Sequence, residues 1–169
     1  MTKAKPIDEA TAQSLRDNLR YDTDTGEIWW RFPFHKRDIS KPVGSLNSCG
    51  YLVISFKGRT YRLHRLSYLL MGLPIPEFVD HINGVKIDNR WENLRPTTKS
   101  QNKTNTSVSS RNTSGFKGVY QKLGKGKWYS QIGFNGKKYH LGVFDCPEEA
   151  HEAYKKAADK YHGEFKNYG

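Results

Sequence analysis

The sequence predicts an α+β protein built as two small parts, and three observations predict it. Short runs of alternating apolar and polar residues end in Asn-Gly, Lys-Gly or Gly-Lys-Gly, as antiparallel strands joined by tight turns do, while stretches of helical spacing stay short. Hydrophobic residues make up 36% of the 169 and the mean hydropathy is −0.82, which suits two small cores better than one large one. Between the parts, residues 103–114 are small and polar and keep no apolar period. The expected division is 1–105, a flexible linker at 106–113, and 114–169.

From the start of the chain, Ile7, Ala12, Leu15 and Leu19 fall at helical spacing, with Asp8 and Glu9 where a helix dipole favours acids. This helix is expected to pack and do nothing else. Tyr21 to Trp30 is a turn rich in Asp, Thr and Gly that feeds an aromatic strand. Asp22 and Asp24 have the spacing that opens a calcium loop, but the glutamate such a loop needs at its twelfth position is missing, so a hairpin turn is expected. Residues 32–47 are polar and basic, with His35, Lys36, Arg37 and Lys41, and read either as a solvated loop or as a contact to a nucleic-acid backbone. Gly50 to Leu63 alternates cleanly and turns at Lys57-Gly58-Arg59, a β-hairpin. A short helix follows from Leu66 to Met71, closed by Gly72 and Pro74. His64 stands just before it, either near a site or as a packed structural histidine.

The last part breaks into three strands and one helix. The strands are expected at 116–122, 128–134 and 138–142, with turns at 124–126 and at Asn135-Gly136. The helix begins after Cys146, with Pro147 at its first position and Glu148-Glu149 in its first turn. Its Ala150, Ala153, Tyr154, Ala157 and Tyr161 form one apolar face. Period two turns Val119, Trp128, Ile132, Phe134, Tyr139 and Leu141 toward that helix and leaves Tyr120, Lys122, Tyr129, Gln131, Lys138 and His140 on the open face. A three-stranded antiparallel sheet packed on one helix results. Its Lys, Gln, Tyr and His side chains suit a major groove, where phosphate contacts and base-edge hydrogen bonds combine.

Charge points the same way. The net charge is +11 and the sequence pI about 9.6, so a polyanionic partner is expected. Between Glu92 and Asp145 there is no acidic residue, while Arg95, Lys99, Lys103, Arg111, Lys117, Lys122, Lys125, Lys127, Lys137 and Lys138 lie in that interval. Two cysteines, Cys49 and Cys146, are too few and too far apart for a disulfide framework or a zinc ribbon. The start of the chain has no apolar signal segment and no run is long enough to span a membrane, so a cytoplasmic protein is expected.

The chemistry concentrates in Val79 to Asn102, V-D-H-I-N-G-V-K-I-D-N-R-W-E-N-L-R-P-T-T-K-S-Q-N. A short strand delivers Asp80 and His81, Asn83-Gly84 reverses the chain, and Glu92 to Arg95 is a second extended piece. Past Pro96, Thr97 or Thr98 caps a helix carrying Gln101 and Asn102. Phosphodiester hydrolysis needs a base for water, a cation at the phosphate, and oxygen ligands for that cation. A histidine titrates near neutral pH and can be the base. A carboxylate and a side-chain amide suit magnesium or manganese and are poor zinc ligands. Asp80, His81 and Asn102 supply those parts.

These residues resemble the HNH nucleases of the ββα-metal fold, and among them the phage and intron homing endonucleases. The match runs through Asp80, His81, Asn83, Gly84, Asp88, Asn89, Asn93, Leu94, Arg95, Thr98 and Asn102, and departs at Val85, where the family often has Asn. The resemblance implies a ββα-metal core at about 77–105 behind a hairpin-rich N-terminal segment. It implies Asp80 and Asn102 as ligands of Mg2+ or Mn2+, His81 as general base, and Asn93 as the group that orients the His81 ring. It also implies cleavage of double-stranded DNA to 5′-phosphate and 3′-hydroxyl ends and a phage-borne homing role; the sequence leaves the oligomeric state open, with a monomer favoured.

Ser114 to Tyr168 in turn resembles the plant ethylene-response-factor, or APETALA-type, DNA-binding domain. The matching pieces are F-K-G-V, G-K-W, K-K-Y-H-L-G-V-F and P-E-E-A-x-x-A-Y-x-x-A-A. By that resemblance Lys117, Tyr120, Lys122, Gln131, Lys138 and His140 stand where the family contacts bases and phosphates. Several family arginines are replaced here, Gly133 among the replacements, and lysine lacks the planar fork of arginine, so a different or weaker sequence preference is expected. Two rival readings are a DNA-binding regulator on a dead nuclease fold and an RNA binder. The second is disfavoured because the open face is not expected to carry exposed, paired aromatics.

Overall fold

Asp8 accepts a hydrogen bond from the Thr11 amide at 2.8 Å, and α1 (Glu9–Asn18) starts from that cap. The structure, a computed structural model, describes residues 6–33, 38–105, 108–122, 124 and 126–169. Of the expected basic loop, His35, Lys36 and Arg37 lie outside the described residues, and Lys41 pairs on the surface with Asp38 at 3.0 Å. Contacts divide the chain into two units, Met1–Thr97 and Thr98–Gly169.

In the first unit, α1 runs directly into β1 (Leu19–Tyr21), which pairs antiparallel with β2 (Ile28–Trp30) in the register Leu19↔Trp30 and Tyr21↔Ile28. The connecting turn is an Asx turn: Asp22 Oδ1 accepts from the amides of Asp24 and Thr25 at 3.0 and 3.1 Å. A second sheet has the order β3 (Ser45–Leu46), β4 (Leu52–Phe56), β5 (Arg59–Arg62), and its tight reversal puts both Lys57 and Gly58 at positive φ. The helix after it, α2 (Leu63–Leu70), starts three residues earlier than expected, because Leu63 and Leu66 both reach into the core. Ala12, Leu15, Leu19, Ile28, Ile54, Phe56, Tyr61 and Leu69 complete that core.

Arg65 on α2 donates to the carbonyls of Pro76 and Glu77 at 2.9 and 3.0 Å and so fixes the approach to β6 (Phe78–His81). This strand pairs antiparallel with β7 (Leu94–Thr97), Asp80 opposite Arg95 and His81 opposite Leu94. The second extended piece lies later than the sequence suggested, since Trp91–Asn93 form a 3-10 turn. Pro96 sits opposite Val79, a place it can hold because a two-stranded sheet is all edge.

The second unit begins where Thr98 and Gln101 close a capping box on α3 (Lys99–Thr104), at 3.2 and 2.9 Å. This unit takes in α3 as well as residues 106–113. The physical reason is local: Thr104 Oγ1 donates to the Phe165 carbonyl at 3.0 Å and the Asn167 amide reaches Asn105, tying α3 to the end of the chain. Part of the expected linker is also structured, with the Asn112 side chain bonding the Phe116 carbonyl and the amides of Ser114 and Gly115.

β8 (Val119–Lys122), β9 (Lys127–Phe134) and β10 (Lys137–Phe144) form an antiparallel sheet in the order β10-β9-β8, with a bulge at Leu141. α4 (Pro147–His162) lies across one face, and Ile132, Tyr154, Ala157 and Ala158 are buried between them. The architecture is α+β with small sheets. Among the described residues no helix is long and apolar enough to cross a membrane.

Candidate active site and nucleic-acid face

β6 places an acid and an imidazole side by side, and the pleat sends them to opposite sides of the strand. Asp80 is 5% exposed, and Arg95 across the ladder donates to its Oδ2 from Nε and Nη2 at 3.0 and 2.9 Å. His81 is 4% exposed. Its Nε2 lies 3.1 Å from Asn89 Oδ1; that oxygen can only accept, so Nε2 carries the proton and Nδ1 keeps the lone pair. Burial is the largest influence on the ring and holds its pKa below the usual histidine value, against the opposing pull of Asn89 and the Asp80 charge.

The loop from Ile82 to Arg90 is closed by side chains on the backbone. Asn83 Oδ1 accepts from the Val85 amide at 2.8 Å and from Asn93 Nδ2 at 3.0 Å, and Asn83 Nδ2 donates to Asp88 at 2.7 Å. Arg90 holds the Asp88 carboxyl well below the usual carboxylate range through bonds at 2.8 and 2.9 Å. Asn93 also donates to the Asp88 carbonyl and accepts from the Asn83 amide. The Asn93 side chain is thus bonded within the loop, and a polar partner on the His81 ring is Asn89.

A part of the chain expected only to turn holds that partner in place. The Tyr21 hydroxyl donates to the Asn89 carbonyl at 2.6 Å, and the Trp91 amide donates to Thr23 at 2.9 Å. Gly26, at φ +77°, lies so close that a Cβ there would overlap the backbone of Asn89 and Arg90.

On its other side His81 meets a cluster of rings. The His64 centroid is 5.1 Å away with the rings edge to face, and Tyr51 is 5.1 Å from His64 and 6.1 Å from His81. His64 is both packed and close to the site. Burial first, then the charges of His81, Arg62 and Arg65, push its pKa down to about 3. Its Nδ1 and the Nδ2 of Asn89 are buried without a hydrogen-bond partner.

The Asp80 carboxylate is a hard oxygen donor, right for magnesium or manganese. Among the described residues no three His, Cys, Asp or Glu gather into a cage. A cation here would thus be held by Asp80 together with amide, substrate and water oxygens, the arrangement magnesium usually accepts. Asn102 stands half-buried on α3, in the C-terminal unit, whereas Asp80 and His81 belong to the N-terminal unit.

In the C-terminal unit, Tyr120, Lys122, Lys138 and His140 are exposed and Gln131 half-buried, on the face turned away from α4. Lys122, Tyr129, Gln131, His140 and Val143 line a shallow depression there. Tyr120 and Tyr129, paired across β8 and β9, stack at 5.3 Å with Tyr120 41% exposed, and His140 meets Tyr129 edge-on at 6.0 Å. The expectation that this face lacks exposed, paired aromatics is overturned. Lys117 departs from the others: its ammonium is half-buried, donates to the Thr104 carbonyl at 2.7 Å, and is pulled down to about 8 by that burial.

A family model described as HNH endonuclease matches residues 61–104, from the end of β5 through α3. A protein of Acanthamoeba polyphaga mimivirus, named as an uncharacterized HNH endonuclease, is 31% identical over 156 residues, covering 88% of this chain and 80% of that protein. Protein 3.8 of Escherichia phage T7 is 29% identical over 94 residues, covering 54% of this chain and 77% of that protein. No solved structure matches the chain.

Proposed function

Because the chain belongs to the HNH endonuclease family, we propose that it is a metal-dependent endonuclease of the ββα-metal, homing type that cuts double-stranded DNA. Residues 114–169 then serve as an APETALA-type domain that holds the duplex. The observation that carries the reading is the His81 ring, buried beside Asp80 on β6, with Nε2 held 3.1 Å from Asn89 Oδ1.

In this mechanism His81 Nδ1 takes a proton from water as the water oxygen bonds to phosphorus. The bond from phosphorus to the 3′ oxygen breaks, and that oxygen is protonated from solvent, leaving 5′-phosphate and 3′-hydroxyl ends. Asp80 and Asn102 are the residues that would hold one Mg2+ or Mn2+, and that ion would supply positive charge for the phosphate. Arg95 keeps the Asp80 carboxylate in place between turnovers. Asn89 holds the tautomer and Asn93 holds the loop that presents Asn89. On the tail, Lys122, Lys138, Tyr120, Gln131 and His140 meet DNA, and Lys117 acts through its backbone tie. The setting is the cytoplasm of a virus-infected cell.

A nicking assay on supercoiled plasmid with magnesium tests this. Wild type and His81→Ala bind DNA alike, and the variant cuts roughly 10²–10⁴-fold more slowly. Equal cutting by the two removes His81 from the chemistry.

The stacked Tyr120–Tyr129 pair favours a second reading of the tail, as a platform for unpaired bases. Competition between duplex DNA, single-stranded DNA and RNA separates the two. A Tyr120→Ala variant that loses single-strand binding and keeps duplex binding would favour the platform.

A further inference from the structure

Three elements of the N-terminal unit converge on one half-buried ring that no expected role used. Arg62, the last residue of β5, sets its guanidinium carbon 4.8 Å from the Tyr51 centroid, and Lys86, from the loop after β6, sets its ammonium 5.2 Å from the same centroid. Tyr51 itself is anchored by its amide on Asn47 Oδ1 at 3.0 Å, and Lys86 also donates to the Cys49 carbonyl at 3.1 Å. Both cations are exposed, and among the described residues neither has a carboxylate partner. Asp88 is engaged by Arg90 and Asp80 by Arg95.

Two like charges held on one ring repel each other, so a fold that gathers them without a counter-ion leaves room for an anion. The ring they share is 6.1 Å from His81 and 5.1 Å from His64, whose Nδ1 is buried without a partner. Both positive charges reach the imidazoles, Lys86 acting on His81 and Arg62 on His64.

We propose that Arg62 and Lys86, set on Tyr51, form a seat for a backbone phosphate of the strand being cut, within one nucleotide of the bond that His81 addresses. The inference rests on the nuclease reading for the identity of that bond. It rests on geometry alone for the anion. Arg62 supplies a planar fork for two phosphate oxygens and Lys86 a point charge, while Tyr51 positions both and touches no reacting atom.

The test is binding of the full-length protein to an uncleaved duplex in the presence of a chelator, as a function of salt. Arg62→Gln and Lys86→Gln should each weaken Kd roughly 5- to 10-fold near 0.1 M salt and reduce the slope of log K against log salt by about one. Tyr51→Leu should reproduce part of both losses, and Arg62→Lys should restore the slope more than the affinity. Replacing single phosphates around the cut by neutral methylphosphonates should weaken wild type at one position and leave the Arg62→Gln/Lys86→Gln protein indifferent there. Unchanged affinity and slope in the double variant, or no phosphate to which wild type is sensitive, overturns the seat. Because no cutting is read, a protein that binds through the seat but never nicks plasmid would refute the nuclease reading and leave the seat standing.

Discussion

Around His81 the N-terminal unit has drawn Asp80, Asn89, Asn93 and His64 almost wholly out of water and matched most of their polar atoms to one another. The C-terminal unit does the reverse. It buries Ile132, Tyr154, Ala157 and Ala158 and leaves Tyr120, Lys122, Lys138 and His140 in solvent. The difference fits what the proposed function asks of each set of side chains. A base and a cation ligand need one tautomer, one rotamer and low local dielectric, which burial and hydrogen bonds provide. A surface that meets a charged polymer needs its cations hydrated and reachable until the partner arrives.

The largest effect should come from cutting the chain where the sequence suggested. A protein ending at Asn105 keeps every residue of the HNH-like stretch, yet it loses Phe165, Asn167 and Lys117, the partners that tie α3 down. Six residues do not form a stable helix alone. Plasmid cleavage should therefore vanish, although the thermal transition of the N-terminal unit persists. Cleavage by that fragment at the full-length rate would show that α3 needs no support from the tail.

Next in size is Arg95→Ala, which removes the guanidinium paired with the Asp80 carboxylate at 5% exposure. Breaking a buried pair from one side costs about 3–5 kcal/mol. Urea unfolding should report it, and added magnesium should recover part of it if Asp80 is a ligand. Arg90→Ala, which breaks a far more exposed pair with Asp88, is the control. A loss from Arg95→Ala no larger than from Arg90→Ala would remove the burial argument.

Much of this was legible because it is local. Asn83-Gly84, the Thr98 cap, Pro147 at a helix start and the alternation that sorts β8 to β10 are each decided by neighbours within a few residues. What escaped depends on register between distant segments. Asn89 reads as a turn residue, and only the fold shows its side chain returning to a ring eight positions earlier. Gly26 carries no signal at all until it is found against Asn89 and Arg90. Tyr51, Arg62 and Lys86 come from a loop, a strand end and another loop, and nothing in any one of them announces the others. The line between the two units shows a related distinction: composition marks where polar residues begin, whereas contacts mark where a helix finds its partners.

A smaller effect belongs to His64. Its pKa is 6.5 when unfolded and about 3 when folded. The unfolded chain therefore binds the extra proton between those values, and stability is complete above pH 6.5 and declines as pH falls below it. The decline should reach about 2 kcal/mol by about pH 5. The groups facing the ring are His81, Arg62 and Arg65, all of them basic, so none reverses the sign. His64→Phe should flatten the dependence of urea midpoint on pH, with a residue from His81 remaining. An unaltered slope in that variant would mean the ring is protonated inside the fold.

The smallest changes in stability should come from the tail. Lys122→Ala and Lys138→Ala remove exposed side chains that, among the described residues, make no ion pair, and each should move stability by less than about 0.5 kcal/mol. Each should nevertheless lower the salt slope of DNA binding by about one, because a phosphate contact releases its counterion whether or not the protein needed the lysine to fold. Lys117→Ala separates the two regimes within one unit. Its ammonium is half-buried on the Thr104 carbonyl, so the same substitution should disturb melting more than it disturbs the salt slope. If Lys117→Ala instead lowers the slope as Lys122→Ala does and leaves the melt alone, the ammonium leaves its carbonyl to meet DNA, and burial in the free protein does not decide which lysines of this sheet bind.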